Sequence, residues 1–127
     1  MASANSRRAA ATLRTRRRAH QVAARARRAP LTAARRVRTA PRSLTTHVIA
    51  TGVAPSAVPG AVAALRTQAK KAGIQGRAAR IRRTFSGRAR HAVTVYRYTR
   101  AQVAEIVAGY KPRKPEYKAV RAALLAA

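Results

Sequence analysis

The sequence predicts an α+β protein in two parts: an intrinsically disordered, basic arm over residues 1–42 and a small basic β-α-β-β-α-α domain over residues 43–127. In that domain, helices cover one face of a three-stranded, largely antiparallel sheet. Three observations lead there. The first 42 residues hold thirteen arginines and thirteen alanines but no lysine and no acid. Every aromatic, glycine, lysine and glutamate lies beyond Arg42. Past that boundary, segments rich in β-branched residues alternate with segments of helical periodicity.

The arm comes first. Its larger apolar residues, Leu13, Val22, Leu31 and Val37, are spaced nine, nine and six apart and form no amphipathic face. Low hydrophobicity with high net charge predicts disorder in isolation. Alanine and arginine are nevertheless good helix formers, so stretches such as 12–29 are expected to become helical once an anionic partner neutralises the repulsion.

"LTTHVIATGV" (Leu44 to Val53) is rich in β-branched residues and closes on Gly52 and Pro55, the pattern of a short strand carrying His47. "SAVPGAVAALRTQAKKAG" predicts a helix. Ser56 is its candidate cap, Pro59 sits in the first turn, Lys70 and Lys71 in the last, and Gly73 supplies the stop. Val58, Val62, Leu65, Ala69 and Ala72 share one face.

"RAARIRRTFSGRARHAVTVYRY" predicts a β-hairpin, and loop parity decides its faces. A three-residue loop, Ser86 to Arg88, pairs Phe85 with Ala89, Arg83 with His91 and Ile81 with Val93. Ile81, Phe85, Val93 and Val95 then turn toward the helices, and Arg80, Arg82, Arg90, Tyr96 and Tyr98 share the other face. Thr99 and Gln102 stand at capping-box spacing before a stripe of Val103, Ile106, Val107 and Tyr110. "PEYKAVRAALLAA" closes the chain as a helix with Tyr117, Val120 and Leu124 on one side.

Charge bounds the function. Twenty-nine cations against two acids give a formal charge of +27, and a compact state of that charge repels itself unless an anionic partner supplies counter-charge. Arginine outnumbers lysine 24 to 5, which suits phosphate contacts and groove insertion. A GC-rich genome would also favour arginine over lysine, but it does not explain the missing acids. The partner expected is therefore nucleic acid, with duplex DNA ahead of structured RNA. The candidate contacts are Arg7, Arg8, Arg14, Arg16, Arg17, Arg18, Arg25, Arg27, Arg28, Arg35, Arg36 and Arg38 in the arm. Arg80, Arg82, Arg88, Arg90, Tyr96 and Tyr98 join them on the hairpin, and Lys111, Arg113 and Lys114 in the turn before the last helix.

Motifs add little. "GIQG" matches the GxxG of KH modules on two glycines alone, and Gly73 is already explained as a helix stop. "VTVYRY" would suit a stacking platform of the RRM kind, but the glycines of that motif are missing. The link "GYKPRKP" is long and holds two prolines, which argues against the last two helices as a helix-turn-helix. With no Cys, no Asp, two separated glutamates and three scattered histidines, neither catalysis nor a metal site is expected, and no cofactor is implied. No apolar run approaches the roughly 20 residues of a membrane span.

The function expected is sequence-tolerant, mainly electrostatic DNA binding by an architectural or packaging protein. A ribosomal, rRNA-binding protein is the alternative, and a basic adaptor for an acidic protein a third. A cytoplasmic, nucleoid- or ribosome-associated location goes with these readings. The Arg-rich, acid-free first twenty residues also fit an organellar import segment.

Overall fold

The structure is a computed structural model that describes residues 3–84, 87 and 90–127, with the Arg90 side chain left aside. Five helices and one two-stranded antiparallel sheet follow the order α1 (Ala4–Thr39), α2 (Leu44–Ala50), α3 (Val58–Ala72), β1 (Arg77–Thr84), β2 (Arg90–Arg97), α4 (Arg100–Ala108) and α5 (Pro115–Ala126).

The expected disordered arm is instead one ordered helix of 36 residues, about 54 Å long at 1.5 Å per residue. Ser3 caps it by accepting a hydrogen bond from the Ser6 N–H at 3.2 Å. Alanine and arginine prevail because their helix propensity is high, and the C-terminal third docks on α2 through buried Ala33 and half-buried Val37. The helix continues through Pro30, which removes one intrahelical N–H.

The second correction concerns "LTTHVIATGV". It forms helix α2, not a strand, so the sheet has two strands and not three. Ser43 caps α2 by accepting from the Thr46 N–H, and Leu44, His47 and Val48 at i, i+3 and i+4 are all buried. Packing of that face overrides the β preference of its threonines, valine and isoleucine. Residues 51–54 then turn the chain, with Gly52 at φ 79°. A single 3-10 turn at Pro55–Ala57 leads into α3. Ser56 does not cap α3, whereas Gly73 ends it in the left-handed conformation.

The hairpin has the register that three-residue parity requires, with Ile81 opposite Val93 and Arg83 opposite His91. The expected Phe85–Ala89 pair and Arg88 lie outside the described residues. No helix layer covers either face. Ile81, Val93 and Val95 are only half buried, so the hairpin stands out from the helices and is not the floor of a core.

The core lies instead among α2, α3, α4 and α5. Leu44, Val48, Val62, Leu65, Val103, Ile106, Val107 and Val120 form one cluster. Tyr98, expected on the hairpin's exposed face, belongs to that cluster and is 9% exposed. Its ring lies where a Cβ on Gly76 would come within 2.9 Å, so only glycine fits there. Its backbone pairs with Arg42 in an isolated bridge, with N–H to O distances of 3.0 and 2.7 Å. The capping box of α4 forms, as Thr99 N–H donates to Gln102 Oε1 at 2.9 Å and Gln102 N–H to Thr99 Oγ1 at 3.2 Å. Arg121 Nε donates to the Tyr110 carbonyl at 2.7 Å and ties α5 to the end of α4.

Leu65→Ala and Ile106→Ala should each cost about 2–5 kcal/mol, since both side chains are fully buried. Ile81→Ala should cost far less, and thermal melting of the three variants checks the ranking. His47, 3% exposed, donates through Nε2 to the Tyr98 carbonyl at 2.9 Å. Burial lowers its pKa, nearby Arg100 pushes the same way, and bonds to backbone oxygens of Tyr98 and Arg42 oppose both. Because the folded pKa lies below the unfolded value near 6.5, the unfolded chain takes up the proton first. Stability is therefore complete above about pH 6.5 and falls as pH drops through 6.5 toward the folded value. The melting temperature should decline between pH 7.5 and 5 in the parent and much less in His47→Gln. An equal decline in both would show that His47 is not its source.

A third expectation concerns α1. Removing residues 1–22, of which 3–22 are exposed throughout, should leave the melting temperature unchanged. Removing residues 1–42 should lower it, because Ala33 and the Arg42–Tyr98 bridge go with them.

Candidate nucleic-acid interface

From Met1 to Ala104 the chain has no acidic residue, so α1, α2, α3 and the hairpin are purely cationic or neutral. Glu105 and Glu116, both exposed, lie in α4 and α5. Sequence order alone thus makes the surface of those elements free of carboxylates, while α4, α5 and their link carry both glutamates beside six cations of their own.

Helix α3 is the best-placed element of that set. Val58, Ala61, Val62, Leu65 and Ala69 face the core, which leaves Pro59, Ala63, Arg66, Thr67 and Lys70 exposed along the other side. The N-terminal half of this free face is small, and the C-terminal half carries the cations. Helix α2, the seven-residue link of residues 51–57, which holds the positive-φ Gly52 and the 3-10 turn Pro55–Ala57, and α3 form a pair of consecutive helices. The hairpin follows directly after it.

Between α3 and the hairpin runs an open groove of about 770 Å3. Arg66 and Lys70 line one wall, Arg83, Val93, Val95 and Tyr96 the other, and Ser43, Leu44 and Thr45 of the α2 start close one end. Tyr96 is 46% exposed at its rim. A groove of this width with cations on both walls suits a sugar–phosphate strand, because guanidinium and ammonium donors can meet phosphate oxygens from both sides.

The expected contacts divide into three groups in space. Arg80 and Arg82 are exposed and share a face of the hairpin with Tyr96 and with the Arg90 position, as the parity requires. Tyr98 leaves that face for the core and cannot stack on bases. Lys111, Arg113 and Lys114 are exposed in the α4–α5 link. Lys114 Nζ stands 5.9 Å above the Tyr117 ring, and a Cβ on Gly60 would meet the Tyr117 hydroxyl, which brings this cation to the start of α3. Burial pushes the Tyr110 phenol above its ordinary pKa, with Tyr117 adding to the shift, so it stays a neutral hydroxyl at physiological pH. The twelve arginines of α1, from Arg7 to Arg38, are all exposed. A second cleft, of about 340 Å3, lies between α1 and α2 and is lined by Arg25, Arg28 and Arg36 together with Thr46 and Ile49.

Sequence reasoning did not single out Arg66, Thr67, Lys70 and Arg83. The signal was present, because once the core face of α3 is fixed by its valines and Leu65, the residues half a turn away are the free ones. Among the described residues, no cluster of three His, Cys, Asp or Glu could hold a metal ion, and no helix is long and apolar enough to cross a membrane. No protein-family model, no curated protein and no solved structure matches the chain, and the site geometry is what its function is argued from.

Proposed function

We propose that this protein binds duplex DNA, with α3 entering the major groove, the hairpin lying along the adjacent backbone, and charge supplying most of the affinity. The observation that carries the reading is the α2–α3 pair followed by a projecting hairpin, with every free face cationic or neutral. The α2–α3 link is longer than the turn of a helix-turn-helix, and what the pair shares with that motif is a second helix with an exposed, acid-free face available to a major groove.

The free face of α3 also bears on specificity. Bases are read by bidentate side chains such as Arg on guanine or Asn and Gln on adenine. Here the N-terminal half of the helix offers Pro59 and Ala63, with Gly60 lying against the Tyr117 hydroxyl, and the exposed long polar groups of the free face are the cations Arg66, Lys70 and Lys71. So few readers imply weak sequence preference and a large share of phosphate contacts. An architectural or packaging role on a nucleoid follows from that balance.

Titration of labelled duplex DNA across a salt series tests the reading. With six to ten phosphate contacts, affinity should fall by roughly 10³ to 10⁵ between about 50 and 200 mM salt. Arg66→Ala, Lys70→Ala and Arg82→Ala should each make the slope shallower by about one unit. A change of DNA sequence should matter far less than either. Salt-insensitive binding would defeat the proposal, and tighter binding of structured RNA at equal salt would replace DNA as the partner.

A further inference from the structure

We infer that one face of α1, anchored in the α1–α2 cleft, is a dedicated track for the phosphate backbone of duplex DNA, while the other arginines of that helix are not part of it. This rests on the DNA-binding reading above and goes beyond it by assigning a second contact surface and its polarity around the helix.

The spacing of the arginines carries the inference. At about 100° per residue, Arg7, Arg14, Arg18, Arg25 and Arg36 fall within an arc of about 40°. Widening the arc to about 100° takes in eight of the twelve arginines of α1. The narrow row is about 44 Å long at 1.5 Å per residue, the length of about 13 base pairs at 3.4 Å each. Arg16, Arg27 and Arg38, each eleven residues from the next, form a sparser row about half a turn away.

The two rows differ in what stands beside them. Ala33, Val37 and Pro30 mark the side of α1 that meets the bundle. Along one flank of that contact the helix and α2 form the 340 Å3 cleft, where Arg25, Arg28 and Arg36 face Thr46 and Ile49 over a floor of alanines. Three guanidiniums converging on a recess with no carboxylate nearby fit a bridging phosphate, whose oxygens accept paired N–H donors. The row at positions 16, 27 and 38 lines no such recess. Beyond the cleft, Arg7, Arg14 and Arg18 continue the favoured row over the part of α1 that projects away from the bundle, where all side chains are exposed. Like charges three and four residues apart, such as Arg14 with Arg18 and Arg25 with Arg28, weaken an isolated helix, and phosphates along the row relieve that repulsion.

The test removes equal charge from the two faces of the full-length chain. One variant carries Arg25→Gln, Arg28→Gln and Arg36→Gln, the other Arg16→Gln, Arg27→Gln and Arg38→Gln; glutamine keeps helix propensity, and circular dichroism confirms that α1 persists in both. The salt dependence of duplex DNA binding is then compared. The first variant should lose about 2.7 units of slope, three contacts at 0.9 each, and the second less than one. Equal losses would show that α1 acts as undifferentiated charge, and a larger loss in the second would put the track on the wrong face; either overturns the inference. If neither variant changes the slope while Arg66→Ala and Lys70→Ala do, the inference falls and the α3 reading stands. If the parent chain itself does not bind duplex DNA, the functional reading falls and the track with it. Loss confined to structured RNA would also overturn the assignment.

Discussion

The carbonyl of Tyr98 holds this molecule's parts in register. It accepts two hydrogen bonds, from the Arg42 N–H at 3.0 Å and from His47 Nε2 at 2.9 Å, and so joins the α1–α2 link, helix α2 and the base of the hairpin at one oxygen. The ring of the same residue is pinned in the core over Gly76, which fixes the direction in which β1 leaves the end of α3. A hairpin whose described residues are half buried at most along its two strands would otherwise swing about its base. The groove between α3 and the hairpin therefore depends on a histidine whose burial disfavours its charged form, against the pull of the backbone oxygens of Tyr98 and Arg42.

Charge sets the second constraint. A chain of +27 keeps a core only if apolar burial outweighs repulsion among its cations. The solution is spatial segregation. The four helices that make the core include both glutamates, on α4 and α5, while the densest positive segment, α1, adds only Ala33 to the buried set. Repulsion is thus greatest where little tertiary structure is at risk. On the proposed reading, a polyanion bound along these surfaces would stabilise the folded chain by mass action and so link binding and folding in the same direction.

Much of this was legible in the sequence, and the failures have particular causes. The hairpin register followed from parity, because only an odd loop gathers Ile81, Val93 and Val95 on one side. The α4 capping box and the left-handed stop at Gly73 were readable because each is a local interaction that needs no tertiary context. "LTTHVIATGV" was misread because composition favoured a strand, while the decisive features were a serine cap and the i, i+3, i+4 burial of Leu44, His47 and Val48, one of them a histidine that no hydrophobic pattern counts. That error hid the α2–α3 helix pair and supplied a third strand where the described sheet has two. Tyr98 was placed by alternation on the exposed face, but it lies just past the end of β2, where the chain enters the core. In α1, charge argued for disorder and propensity for helix, and composition alone does not rank the two.

Two cations differ in kind from the rest. Arg42 Nε reaches the Arg36 carbonyl at 3.4 Å and its backbone bridges Tyr98, and Arg121 ties α5 to Tyr110. Both are half buried; removing the Arg121 side chain takes a donor from the Tyr110 carbonyl, whereas the Arg36 carbonyl also accepts from the Ala40 N–H and the Thr39 hydroxyl, so at Arg42 the structural tie is the backbone bridge to Tyr98. Arg66, Lys70, Arg80 and Arg82, by contrast, are exposed and extend from elements whose stability resides in residues on their opposite faces or at their bases. On the proposed reading, changes at those four should register in affinity without disturbing the fold, whereas a loss of binding in an Arg121 variant reports on the scaffold. The basic surface and the core can therefore be varied almost independently. That separability is what allows the salt dependence of binding to be assigned, face by face, to named side chains.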